Sequence, residues 1–224
     1  MTKLMISAAA AALALGAAAP SSAYTLLFEP GAASPDTGFT VVENFNNGTL
    51  GGFTTTTPGL ALVQTGSNGN GAALPNSAPG GTPYLTVLTN GNATYSFGPG
   101  GVSAFQFDWG SIDTYNTLTF RMSMLASNGT MTEVVVPGSQ AFSSTPANGN
   151  QQNANTNGRF TVRADTGETL TGLTLASSGN SFEIDNLAVA PVPEPATWGL
   201  MLAGFGMVGA GLRSRRRSST VTYA

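Results

Sequence analysis

The chain has 224 residues and neither cysteine nor histidine, which excludes disulfides, thiol nucleophiles, thiolate or imidazole zinc sites and every catalytic triad that uses histidine as base. Its 29 glycines and 13 prolines favour short strands joined by tight turns over long helices. The formal charge of −3 averages unlike regions: between Tyr24 and Ala190 three arginines stand against ten Asp and Glu, a net of −7, and such a surface argues against a nucleic-acid partner.

At the N-terminus Lys3 precedes an apolar stretch from Leu4 to Ala19, and Pro20 to Ala23 place small residues before Tyr24. This is the pattern of a secretory signal peptide over residues 1–23, too short and too alanine-rich for a membrane span. Residues 24–190 form the working domain. Within it short runs of alternating apolar and polar residues predict antiparallel strands at Thr25 to Glu29, Phe39 to Phe45, Leu60 to Thr65, Ala93 to Phe97, Val102 to Trp109, Thr117 to Leu125, Met131 to Val136, Arg159 to Ala164, Thr169 to Ala176 and Ser181 to Val189. Such a series suits an all-β fold, an antiparallel two-sheet sandwich of jelly-roll type. Asn47-Gly48, Asn90-Gly91 and Asn128-Gly129 supply residues that tolerate positive φ at turns. Gly66 to Thr82 and Pro137 to Gly158 are poor in apolar residues and are expected as solvated loops.

In the run Phe39 to Phe45, Glu43 shares a strand face with Phe39, Val41 and Phe45. A carboxylate on an apolar face requires a partner. In the last strand Phe182 and Ile184 have one parity and Leu187 and Val189 the other, which predicts a bulge near Asp185-Asn186 that re-aims Asp185. Glu43 and Asp185 are therefore candidate ligands of a structural calcium ion, which accepts hard oxygens from two strands and from backbone carbonyls. The alternative is that Glu43 pairs with an arginine or lies at a strand end.

Asp108, Trp109, Asp113, Tyr115 and Asn116 cluster around a predicted hairpin connection. Three readings are open. Aromatic rings beside carboxylates and amides suit glycan binding; paired carboxylates suit glycoside hydrolysis when 5 to 10 Å or so apart; and Asp113 and Asn116 suit turn hydrogen bonds around a buried Trp109.

Past the domain, a linker at 191–196 leads into an apolar, glycine-rich run at 197–212, expected as a single transmembrane helix, and a basic tail at 213–224. The run covers about 24 Å at about 1.5 Å per residue, short of a roughly 30 Å hydrocarbon core. The arginines would lie on the cytoplasmic side with the domain outside. Pro193-Glu194-Pro195, Trp198 three residues after the second proline, and Arg213, Arg215, Arg216 and Arg217 together resemble the PEP-CTERM sorting signal. That resemblance implies recognition by an exosortase, a membrane protease and transpeptidase of Gram-negative bacteria that also make exopolysaccharide. It further implies an inner-membrane-anchored precursor that is cleaved near the motif. Phe107 to Asn116, with its Trp-Gly-Ser-x-Asp-x-Tyr-Asn core, and the closing Phe182-Glu183-Ile184-Asp185-Asn186 are similar to a group of exosortase-dependent surface proteins, a resemblance that adds no catalytic residue. The expectation is an exported, non-enzymatic cell-surface or extracellular-matrix protein, associated with extracellular polysaccharide and its biofilm. A secreted carboxylate-dependent glycan hydrolase and a purely structural adhesin are the alternatives.

Overall fold

The computed structural model describes residues 24–31, 35–75, 81–124, 131–141, 147–192 and 197–215. The signal peptide, Pro193, Glu194, Pro195, Arg216 and Arg217 lie outside the described residues. Eleven strands, β1 (Tyr24–Pro30), β2 (Thr40–Glu43), β3 (Ala61–Gln64), β4 (Tyr84–Val87), β5 (Gly91–Ser96), β6 (Ala104–Gly110), β7 (Asn116–Met124), β8 (Met131–Pro137), β9 (Gly158–Ala164), β10 (Glu168–Ser177) and β11 (Phe182–Ala190), form two sheets. The first has the order β1-β9-β6-β11-β4-β3, with β2 added beside β11; the second has the order β5-β10-β7-β8. Every strand pair is antiparallel. The expected two-sheet sandwich is the fold observed.

The alternation read from the sequence places the core. On β6, Phe105, Phe107 and Trp109 face inward, and β7 answers with Leu118, Phe120 and Met122, all fully buried. The Trp109 ring stacks on Phe182 at 4.4 Å between centroids and meets Phe160 edge-on at 5.4 Å. Such aromatic contacts add to the burial of large apolar area. Tyr84 to Val87 was not expected as a strand. All four of its residues are buried between β11 and β3, so the run lacks the apolar and polar alternation that marks a half-exposed strand.

The bulge expected in the closing strand is present. Between Asp185 and Ala188 one extra residue of β11 opposes β6, and Asn186 has φ of 52°. Phe182, Ile184 and Leu187 consequently all reach the core, while Glu183 and Asp185 point to the outer face of the first sheet. The strand around Glu43 is shorter than expected, because Phe45 turns out of it at φ of 55° and buries its ring in the core against Phe53.

The two expected loops are not simply solvated. Ala141, Ala147, Thr156 and Asn157 are buried in the second, and Asn68 bridges Gly71 in the first. Tyr24 lies opposite Ala164, Arg163 opposite Ala104 and Ala104 opposite Ala190, so both ends of the domain leave from one end of the first sheet. Past it, a helix α1 spans Thr197–Arg215, longer than the expected span. No helix among the described residues is long and apolar enough to cross a membrane; five glycines within α1 dilute its hydropathy.

Replacing Trp109 by Ala should destabilise the domain by about 3–5 kcal/mol, the usual cost of deleting a large buried aromatic. Thermal melts of the purified chain would register this as a large drop in midpoint. An unchanged midpoint would mean that the ring is not in the core.

Candidate functional site

At the opposite end from the domain termini, β6 ends at Gly110 and the chain turns through Ser111 to Tyr115 into β7. The turn closes on itself: the Asp113 amide donates to Asn116 Oδ1 at 2.8 Å, and the Asn116 amide donates to the Asp113 carbonyl at 3.1 Å. Asn116 is fully buried, and its Nδ2 donates to the Ser181 carbonyl at 2.9 Å, tying the turn to the start of β11. Tyr115 lays its ring on Gly179, where a Cβ would come within 2.6 Å of the ring, and its hydroxyl donates to the Asn180 carbonyl at 2.8 Å. The Asp113 carboxylate packs against Gly149, a position that any side chain would fill.

Beside this turn stands Glu183, a residue that sequence reasoning did not single out as a site. It is 2% exposed. Its Oε1 accepts from the Ala72 amide at 3.1 Å and from Ser181 Oγ at 2.6 Å, while Oε2 accepts from Ser111 Oγ at 2.9 Å. Three donors do not offset the loss of water, and burial pushes its carboxyl up to about 7. Burial also raises Asp113, with the Tyr115 hydroxyl pulling it back. Both carboxylates line a polar cleft of about 100 Å³, together with Tyr115 and the amide side chains of Asn68, Gln151 and Asn180. The only sequence signal for Glu183 was its outward parity in a strand otherwise read as core.

The structure divides the expected ligand cluster. Asp113 and Tyr115 reach the cleft. Trp109 is fully buried, so its ring has no face to offer a ligand. Asp108 is 3% exposed and forms a 2.9 Å ion pair with Arg159, which also lies 3.6 Å from Asp36; Asn186 Nδ2 donates to its other oxygen at 2.8 Å. Asn116 is spent on the turn. For these three the turn-and-core reading describes their contacts.

Glu43 lies in β2, which pairs with β11 at Leu187. Val41 on the same face is 37% exposed, so that face is not the dry one the pattern implied. Glu43 Oε1 accepts from the amides of Asn44 and Phe45 at 3.1 and 2.9 Å. Asp185 accepts from Thr82 Oγ1 at 3.0 Å and from the Asn186 amide at 2.7 Å. Burial raises its carboxyl to about 6, with smaller contributions from the charges of Asp108 and Glu43. Hard oxygens are thus present, although no group of three or more metal-ligating side chains converges among the described residues.

Residues 191–217 match the PEP-CTERM protein-sorting motif, which marks the chain as exported and membrane-anchored before processing. No curated protein matches the sequence. Among solved structures, the chain is similar to TmCBM61 in complex with β-1,4-galactotriose (13% identity, 65% of this chain and 92% of that one, TM-score 0.38). It is also similar to a xylan-binding domain from CBM 22 (18% identity, 70% and 99%, TM-score 0.37). A third likeness is to the K2 cleaved adhesin domain of Lys-gingipain (16% identity, 69% and 98%, TM-score 0.40). At such identities and TM-scores no ligand or activity transfers to this chain.

The raised carboxyls fix the sign of a pH effect. Between about 4.5 and about 7 the folded state holds a proton on Glu183 that the unfolded state has lost, so stability falls as pH rises through that window. Asp185 acts in the same direction between about 3.8 and about 6. Glu183→Gln keeps an acceptor for the Ala72 amide and cannot ionise, so it should raise the melting midpoint at pH 8, by at most on the order of 3 kcal/mol, and flatten the slope between pH 5 and 7. Melts across pH would show an unchanged slope if Glu183 were exposed or paired with a cation.

Proposed function

We propose that this is a non-enzymatic protein, processed by an exosortase and then displayed at the cell surface or released, whose cleft binds glycan in the extracellular polysaccharide matrix. The observation that carries the reading is the placement of cleft and tail. Glu183 and Ala190 stand at opposite ends of β11, roughly 23 Å apart at about 3.3 Å per residue. Ser103 Oγ donates to the Pro191 carbonyl at 2.8 Å and fixes the exit of the tail at the far end. A domain tethered to the inner membrane through its tail would therefore turn the cleft outward. Carboxylates, amides and a tyrosine hydroxyl supply the acceptors and donors that sugar hydroxyls require.

A hydrolase is the second reading, and one observation favours it: Glu183 and Asp113 share the cleft, and a carboxyl that keeps its proton to about pH 7 suits a general acid. Glycan binding without product release supports the first reading. Turnover that is lost in both Glu183→Gln and Asp113→Asn supports the second, and neither binding nor turnover leaves a structural adhesin.

Two further outcomes are expected. The mature protein should begin at Tyr24 and lack the arginine cluster, and deleting the host's exosortase should restore Arg213 to Arg217 to the intact mass; a mass unchanged by the deletion would make the tail an ordinary anchor. A structural calcium ion held by Glu43 and Asp185 belongs to the same proposal, since Arg159 is committed to Asp108 and Asp36 and no ion pair to Asp185 is formed among the described residues. Calcium at about a hundred times its dissociation constant should add about 2.7 kcal/mol of stability, lost in Asp185→Asn. Equal midpoints with calcium and with chelator would dismiss the ion.

A further inference from the structure

We infer that the outer face of the second sheet carries a separate site for an acidic glycan, in which Arg121 takes the carboxylate of a uronic acid. The site lies on the other sheet from Glu183 and goes beyond the reading of the cleft.

Arg121 stands in a row that crosses all four strands of the second sheet, with Gly172 and then Ser96 on one side and Glu133 on the other. An acid directly opposite an arginine is its natural cross-strand partner. Yet no ion pair joins them, and both ion pairs formed among the described residues belong to Arg159. The guanidinium instead leans away over β10: a Cβ at Gly172 would come within 2.9 Å of Arg121 Nη2, so only glycine leaves room for it there. A shift of register between Leu170 and Gly172 opens the strand at this point. The result is a groove of about 370 Å³ lined by Arg121 with Ser96, Pro99, Ser123, Met131 and Thr171, without Glu133 or any other acid.

The groove is therefore rich in donors and lacks a counter-charge. Ser96 Oγ accepts from the Gly98 amide at 3.3 Å, which leaves its proton for a ligand. A guanidinium presents a planar fork of N–H groups that matches a carboxylate in two parallel bonds. Beside the groove, Thr54, Thr94, Thr174 and Thr119 stand side by side on neighbouring strands, and the last three are half-buried, an array of hydroxyls on the approach to Arg121. Sugar hydroxyls pair with such groups, and the carboxylate of a uronic acid supplies the missing charge. The −7 of the domain does not forbid this. Only Glu133 and Glu168 of its ten acids stand on strands of the second sheet, and exposed charges farther off than about 8–10 Å are largely screened at physiological salt.

The test uses the full-length chain in detergent at pH 7, titrated calorimetrically with an α-1,4-linked galacturonate tetramer and with its fully methyl-esterified counterpart. The acid should bind about tenfold tighter or better, as one bidentate charged contact allows, and should weaken as salt is raised. Arg121→Gln should bring the acid down to the affinity of the ester with an unchanged melting midpoint. Ser96→Glu, at an exposed position on the rim of the groove, should do the same by giving Arg121 an internal partner. Equal affinities for acid and ester, or binding of neither, would overturn the inference. Tight binding of the acid that survives both substitutions would put the glycan elsewhere, the cleft included, and overturn it while keeping glycan binding. Displacement by sodium acetate at equal carboxylate concentration would make Arg121 a general oxyanion site and overturn the sugar.

Discussion

The fold and the cleft depend on the bulge in β11. This strand runs through the middle of the first sheet, bonded to β6 on one side and to β4 and β2 on the other. One extra residue at Asp185–Asn186, taken up by a positive φ at Asn186, changes the parity of the strand halfway along. Without it, either Phe182 and Ile184 or Leu187 would face away from the core. The same device directs Glu183 and Asp185 outward, where they organise the loops laid across the sheet: Ala72 hangs on Glu183 and Thr82 on Asp185.

That arrangement explains why so many polar groups are buried in a domain with so few charges. The outer face of the first sheet carries Gln106, Asp108, Arg159, Glu183 and Asp185, each less than a tenth exposed. Buried polar groups are costly unless hydrogen-bonded, and here the partners come from loops far away in sequence, Asp36 on Arg159 and Gln106, Ala72 and Ser111 on Glu183. Three of these carboxyls are nevertheless raised by burial. Once ionised, they destabilise the fold they help to shape, a cost consistent with a face kept for a role beyond stability.

The cleft follows from three close approaches at glycine. Gly179 admits the Tyr115 ring, Gly149 the Asp113 carboxylate and Gly138 the Asp113 backbone, and each would clash with a Cβ. Rigid support under Tyr115 and Asp113, with Asn116 pinned to Ser181, gives the cleft a fixed shape. The cleft lies at the opposite end of β11 from Ala190, where the chain leaves the domain.

The sequence by itself determined the sorting tail, the two-sheet sandwich and the bulge, because these are written in local order: a Pro-Glu-Pro motif before an apolar run and arginines, period-two alternation, and a parity change between Ile184 and Leu187. It also held the turn chemistry of Asp113 and Asn116. It could not tell that Trp109 lies under Phe182 while Tyr115, six residues on, lines a cleft, because exposure at a strand end depends on which loops cover it. β4 escaped notice because a strand buried on both faces has no alternation to read. Only the tertiary structure brought Glu183, Asp113 and Asn180 together. Those contacts depend on strand register and on loops folding back, and neither leaves a periodic trace in the chain.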